Sequence, residues 1–295
     1  YGKDNAVERG LEIVGPKLAG FVKQARQWAD GTPIYMYCWR GGMRSGSMAW
    51  LFRTAGLTTY LLSGGYKAYR NSFAQLLEAH PWQLLILGGP TGCGKTEVLH
   101  QLKRMGQQVI DLEGLAHHKG SAFGSLGETA QPTTEQFTNQ LHALMRTFNP
   151  ARPIWCEGES ASIGKVVIPS AFYTLMLSAP FLNLEIPYQE RIRHILNDYG
   201  TFQPDELILS FRKIEKRLGG EATRKAIECV EQNNLESAVC IALNYYDKGY
   251  RRSSGKQWPN QIPCLWDDSD PAVIARKLLA LYENGCNVGT EQVQQ

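Results

Sequence analysis

The stretch WQLLILGGPTGCGKT, residues 82 to 96, constrains this chain more than any other. A near-continuous apolar run, Trp82 to Leu87, leads into Gly89, four residues, Gly94, Lys95 and Thr96. That spacing is the complete phosphate-binding loop, which has meaning only between a strand and a helix. The apolar run reads as an interior parallel strand, and helical character resumes near Lys95. The loop's glycines let successive backbone N–H groups converge, while the helix N-terminus adds partial positive charge. Gly89, Thr91, Gly92, Cys93, Gly94, Lys95 and Thr96 are therefore the phosphate-binding set. Lys95 would bring a point charge to terminal phosphate oxygens, and the Thr96 hydroxyl is the candidate ligand for Mg2+. Such a loop recognises a diphosphate rather than a base, so it leaves the phosphate compound open.

A loop of this kind implies a doubly wound parallel sheet. Further strands are expected at Gln108 to Leu112, Pro153 to Cys156 and Phe172 to Leu177. Asp111 and Glu113 follow the first of these, and Glu157 and Glu159 the second, where such a sheet places its ligands. These four carboxylates are candidates for metal or substrate support. His117, His118 and Lys119 lie on a glycine-rich segment that could reach the phosphates. Beyond residue 187 the pattern is helical, over 187–198, 205–218, 221–232 and 235–247. Asp270-Pro271 opens a last helix ending at Asn284-Gly285, and the tail after 286 is expected to be disordered. Arg191 and Arg193 are either lid residues reaching toward the phosphates or members of salt bridges.

Upstream, the order is helix (Leu18 to Trp28), strand (Ile34 to Tyr37), glycine-rich loop, helix (Ser45 to Thr54) and strand (Leu57 to Leu62). This reads as part of a separate open α/β sheet. A short helical stretch and the His80-Pro81 break follow, giving units of 1–75 and 76–295. The chain opens at Tyr1 within an ordered-looking segment, so the first domain is expected to be incomplete.

Cys38 follows the strand at 34–37 and precedes Arg40, Arg44 and Ser45 in CWRGGMRS. A loop of this length can curl its amides around the sulfur. With Arg40, Arg44 and the helix N-terminus, it would lower the thiol pKa and yield a nucleophilic thiolate. A buried structural cysteine would not require the flanking arginines and glycines. Two chemistries use this geometry: cysteine phosphatases, with cysteine, five residues, arginine and a hydroxyl residue, and rhodanese domains, whose cysteine carries a transferable sulfur or selenium. The seven cysteines show none of the paired spacings of a zinc site or disulfide scaffold. A reducing cytoplasm fits them best.

Taken in order, CWRGGMRS, LSGGYKAYR, GPTGCGKT, DLEGLAHHKGSAFG and EGES resemble the tRNA 2-selenouridine synthase family, over about residues 1 to 250. The resemblance implies an N-terminally incomplete rhodanese-like domain, followed by a P-loop NTPase-like domain with a helical C-terminal part. It implies a cytoplasmic transferase that geranylates the 2-thiouridine at a tRNA wobble position, then exchanges the geranylated sulfur for selenium. Geranyl diphosphate and selenophosphate would be the co-substrates, with Mg2+ as an accessory ion. The partners implied are tRNA, through its anticodon loop, and a selenophosphate-producing enzyme. The catalytic positions carried over are Cys38, Arg40, Arg44 and Lys95. Cys93 stands inside the loop where serine is common, and the family's acidic strand-end motif upstream is absent. The alternative reading is a nucleotide-binding kinase or ATPase module joined to a rhodanese-like or phosphatase-like domain.

With a net charge of only +3, any RNA surface must be local. Arg212, Lys213, Lys216 and Arg217 lie off the apolar side, Phe211, Ile214 and Leu218, of one helix. NYYDKGYRRSSGK then interleaves Tyr245, Tyr246 and Tyr250 with Lys248, Arg251, Arg252 and Lys256. Tyrosines stack on unpaired bases while cations meet phosphate. No run approaches the roughly 18 apolar residues of a membrane helix.

Overall fold

The structure, a computed structural model, describes residues 2–258 and 261–283, without the side chains of 253, 254 and 256. The chain divides into two units, Tyr1–Leu76 and Leu77–Gln295. The tail after 286, the Asn284-Gly285 helix end and the Lys256 side chain lie outside the described residues.

The first unit contains α1 (Lys3–Val14), a 3-10 turn at Gly15–Lys17, α2 (Leu18–Ala29), β1 (Ile34–Met36), α3 (Met43–Thr54), β2 (Thr59–Leu61) and α4 (Gly65–Glu78), which runs across the division. The strands pair in parallel, Ile34 opposite Thr59 and Met36 opposite Leu61. Tyr35 and Tyr60 stack across the pair with centroids 5.4 Å apart, a contact that holds register. Ala25 and Ala29 of α2 and Ala49 and Phe52 of α3 are buried. Asp30, in the left-handed conformation at φ 41°, ends α2 by returning its N–H to the Arg26 carbonyl. Helix α1 buries no residue, and its Val7, Leu11 and Ile13 are exposed.

The second unit runs β3 (Leu84–Gly88), α5 (Lys95–Arg104), β4 (Gln108–Ile110), α6 (Leu112–Ala116), α7 (Thr134–Met145), β5 (Ile154–Glu157), β6 (Ser162–Ile163), β7 (Val166–Val167), α8 (Ser170–Ser178), β8 (Phe181–Glu185), α9 (Tyr188–Tyr199), α10 (Pro204–Leu218), α11 (Gly220–Glu231), α12 (Leu235–Gln257), β9 (Gln261–Leu265) and α13 (Pro271–Glu283). Five strands form one parallel sheet in the order β4-β5-β3-β8-β9. Strand β3 is central, and the chain leaves it toward β4 on one side while it leaves β8 toward β9 on the other. That reversal opens a ligand crevice at the carboxyl end of β3.

All five residues of β3 are buried. Leu85 and Leu87 point to a core shared with Val98, Leu99 and Leu102 of α5 and with Ile274 and Leu278 of α13. Each fully buried side chain of this size is worth about 1.5–3 kcal/mol. A second core, distinct from the sheet, joins Leu207, Phe211 and Ile214 of α10 to Ala226 and Val230 of α11 and Ala238 of α12.

The strand expected at Phe172 to Leu177 is instead helix α8, with Phe172 and Met176 buried four residues apart. A short apolar run does not distinguish a buried helix from a strand; the strand comes after Pro180, at β8. Leu112, expected at a strand end, begins α6, because the Asp111 carboxylate accepts the Gly114 N–H at 2.6 Å and caps a helix there. Helix α12 does not stop at 247 but continues ten residues to Gln257, through Gly249 and Gly255.

Candidate functional site

In the first unit, Cys38 lies between β1 and α3, with its sulfur receiving the Gly42 N–H at 3.3 Å and the Ser45 hydroxyl at 3.1 Å. These bonds favour the anion, the Ser45 hydroxyl most and the backbone amides of Ser45, Gly42 and Arg40 next, and they lower the thiol pKa to about 6. The thiol is half-exposed. The Arg40 and Arg44 side chains are exposed, and neither guanidinium is among the groups that shift the thiol. Ser45 therefore supplies the acidification expected of the arginines. Helix α4 clamps the loop, Tyr66 N–H donating to the Cys38 carbonyl at 3.0 Å and Lys67 N–H to that of Trp39 at 2.9 Å. Gly65 makes this approach possible: its φ is +65°, and a Cβ there would overlap the Cys38 carbonyl oxygen and the Gly41 nitrogen.

In the second unit, the loop from Gly89 to Thr96 wraps the carboxyl end of β3, and α5 begins at Lys95 behind Gly94. Gly89 has φ +144°, and a Cβ would run into the Leu184 carbonyl of the neighbouring strand. Lys95 Nζ donates to the Gly89 carbonyl at 3.0 Å. Burial works against its charge, but the Cys93 sulfur, then Glu113 and Glu159, outweigh that and raise its pKa. Cys93 is wholly buried beneath the loop and burial holds it as the neutral thiol, so it fills space rather than binding anions.

The four carboxylates hold different posts. Asp111 caps α6 and meets His100 Nε2 at 3.0 Å. Glu157 is buried; its Oε1 accepts the Glu113 N–H at 2.6 Å, its Oε2 has no partner, and burial raises its pKa far above the usual range. Glu113 and Glu159 approach each other beside Gly120, and both reach the cavity in front of the loop. They share a proton. Burial, then the Glu159 charge, push Glu113 to about 8; burial raises Glu159 as well, against the opposing pull of Lys95 and of its bond with Glu113. The Thr96 hydroxyl lies 3.4 Å from Glu113 Oε2.

The cavity has a volume of about 1280 Å3. At one end stand the phosphate loop, Lys95, His194 and Tyr250; its far wall is apolar, with Leu207, Phe211, Val230, Val239 and Ala242. Lys119 reaches it and lies 5.2 Å from the centre of the Tyr199 ring. His117 does not: its ring bonds the Ala130 carbonyl and the Thr129 hydroxyl.

Of the RNA candidates, Arg212, Lys213, Lys216, Arg217, Arg251 and Arg252 are exposed; Arg217 and Arg252, with the half-buried Tyr245 and Tyr246, also line the cavity. The Tyr246 hydroxyl accepts the Ala122 N–H at 3.2 Å, tying α12 to the glycine-rich segment. Arg191 is not a lid residue. It is buried, pairs with Asp247 and donates to the Thr91 carbonyl, while Arg193 pairs with Glu190. His194, whose Nδ1 lies 3.1 Å from the Gly92 carbonyl, was not legible in the sequence, and Tyr250, expected among the RNA-stacking tyrosines, instead bonds Asn183 beside the phosphate loop. His194 belongs to no spaced motif.

Residues 82–270 match the family model described as the tRNA 2-selenouridine synthase AAA domain. The tRNA 2-selenouridine synthase of Shewanella loihica is 33% identical over 296 residues, covering 87% of this chain and 77% of that protein. The Shewanella halifaxensis protein of the same name is 38% identical over 283 residues, covering 87% and 74%. Among solved structures, shikimate kinase from Acinetobacter baumannii aligns with 70% of this chain and 97% of its own, at 15% identity and a TM-score of 0.35.

Proposed function

The chain belongs to the tRNA 2-selenouridine synthase family, and from that premise we propose that it modifies a tRNA wobble 2-thiouridine in two steps, geranylation on the phosphate-loop unit and selenation with selenophosphate. The observation that carries the reading is a phosphate loop at the mouth of a cavity whose far wall is apolar. A nucleotide-hydrolysing loop needs no such wall; an allylic diphosphate does.

In the first step the allylic carbon–oxygen bond breaks, the 2-thiouridine sulfur bonds that carbon, and the base gives up its N3 proton. Negative charge gathers on the leaving diphosphate. Lys95 and the loop's backbone N–H groups stabilise that charge from fixed positions. Thr96 and Glu113 are hard oxygen donors beside the loop, and they are the residues that would hold Mg2+. Among the described residues no group of three His, Cys, Asp or Glu side chains is arranged for a metal, so an ion here would depend on phosphate oxygens. When bound, Mg2+ would supply further neutralisation of the diphosphate.

In the second step selenium from selenophosphate replaces the alkylated sulfur at C2, geranyl thiol leaves, and water releases phosphate. The Cys38 loop supports this step, read as the rhodanese-like part. Its converging amides and Ser45 hydroxyl stabilise a polarisable anion. Arg40, Arg44 and the exposed cations of α10 and α12 would meet tRNA phosphates, a cytoplasmic encounter that needs no membrane; among the described residues no helix is long and apolar enough to cross one.

The test is to incubate the protein with 2-thiouridine tRNA and geranyl diphosphate and to weigh the nucleosides. A geranyl increment supports the reading. Brisk ATP hydrolysis with unchanged tRNA would replace it with a nucleotide-driven module.

A further inference from the structure

One face of α12 lines the cavity along its length. Leu235, Ala238, Val239 and Ala242 come first, then Tyr245 and Tyr246, then Gly249 and Tyr250. These positions recur at intervals of three and four, so they form one stripe. At 1.5 Å per residue the stripe extends about 22 Å from Leu235 to Tyr250. Its character changes along the way. Tyr250 sits at the phosphate loop, where the Lys95 charge and the Gly89 backbone both act on its phenol. Tyr245 and Tyr246 occupy the middle. Toward Leu235 the stripe is aliphatic, and it faces Leu207 and Phe211 of α10 and Val230 of α11.

A diphosphate alone would occupy only the loop end. The volume, about 1280 Å3, exceeds the range of roughly 300–1,000 Å3 typical of a small-ligand pocket. The residues that leave this space are small: Ala242 is half-buried on the cavity wall, and Ala238 lies one turn beyond. A larger side chain at Ala242 would close the aliphatic end while leaving the loop untouched, because two helical turns separate it from Tyr250.

The geometry points to a hydrocarbon compartment along α12, continuous with the phosphate loop, in which Ala242 and Val239 set the length of prenyl chain accepted. This rests on the proposed use of an allylic diphosphate, and it adds where the chain lies and what limits it. Ala242→Phe is expected to shorten the chain the site takes. Val239→Ala is expected to lengthen it.

Binding measurements on the full chain test this without relying on transfer. Equilibrium affinities are taken for inorganic diphosphate and for dimethylallyl, geranyl and farnesyl diphosphates. The wild-type chain should favour geranyl over inorganic diphosphate by more than about tenfold, the expected direction for burying apolar carbons. Ala242→Phe should remove most of that preference while binding inorganic diphosphate as before, which also shows the variant is folded. Val239→Ala should raise the farnesyl-to-geranyl affinity ratio, a gain that misfolding cannot produce. Equal affinity for geranyl and inorganic diphosphate in the wild-type chain would overturn the compartment. A chain-length profile unmoved by both substitutions would overturn the assignment of its walls. If the profile shifts as expected but no geranyl reaches tRNA, the compartment stands and the proposed transfer falls.

Discussion

Arg191 and Asp247 form a two-pronged ion pair, Nη2 to Oδ1 at 2.6 Å and Nη1 to Oδ2 at 3.1 Å, joining α9 to α12 inside the second unit. Arg191 Nε also donates to the Thr91 carbonyl at 2.9 Å, so the pair holds the phosphate loop by its backbone. Both side chains are largely buried, 8% and 17% exposed. Removing one partner strands the other charge, which costs about 3–5 kcal/mol. Asp247→Ala should lose stability of that order in urea unfolding and also bind diphosphate more weakly; a change under about 1 kcal/mol would show that solvent screens the pair.

The thiol of Cys38 should titrate as its surroundings dictate. Its pKa is lowered to about 6, the Ser45 hydroxyl being the largest cause. The anion therefore persists down to that pH and is lost as pH falls through it. Alkylation by iodoacetamide, followed at Cys38 by peptide mass, should reach half its maximal rate near pH 6. Ser45→Ala should move that midpoint upward. An unmoved midpoint would return the role to Arg40 and Arg44.

Glu113 carries a stability signature of opposite sense. Burial and the Glu159 charge raise its folded pKa from 4.5 to about 8, so the folded state holds a proton the unfolded state has released. Stability from this residue then falls as pH rises from about 4.5 to 8. Glu113→Gln keeps an oxygen for the Thr96 hydroxyl and cannot ionise. The variant should gain stability relative to wild type at pH 8, and the gain should vanish below pH 4.5. Parallel stability curves across that range would contradict the shared proton.

The phosphate loop was legible because backbone conformation, strand and helix are encoded within fifteen adjacent residues, and the Cys38 loop for the same reason. The helices from α9 to α11 showed clear apolar stripes and began and ended within a residue or two of expectation. Helix α8 resembles a strand in local sequence because a short apolar run carries no usable period. Strand β9 carries no local strand signal because Pro263 interrupts its pattern, which an edge position tolerates. Arg191 and Asp247 are 56 positions apart, and Tyr250 meets Asn183 across 67. Nothing local marks such pairs. The sorting of the carboxylates likewise depends on burial, which sequence does not display: Glu157 is 1% exposed, and Asp111 is spent on a helix cap.

The most direct measurement is the nucleoside mass spectrum of 2-thiouridine tRNA after incubation with geranyl diphosphate and selenophosphate, comparing wild type, Lys95→Ala and Cys38→Ser. Wild type should yield 2-selenouridine. Lys95→Ala should leave 2-thiouridine unchanged, with tRNA affinity nearly intact, and Cys38→Ser should accumulate the geranylated nucleoside. Geranyl transfer at the wild-type rate by Lys95→Ala would remove the phosphate loop from the chemistry, and equal loss of both steps in Cys38→Ser would contradict two chemically separate sites.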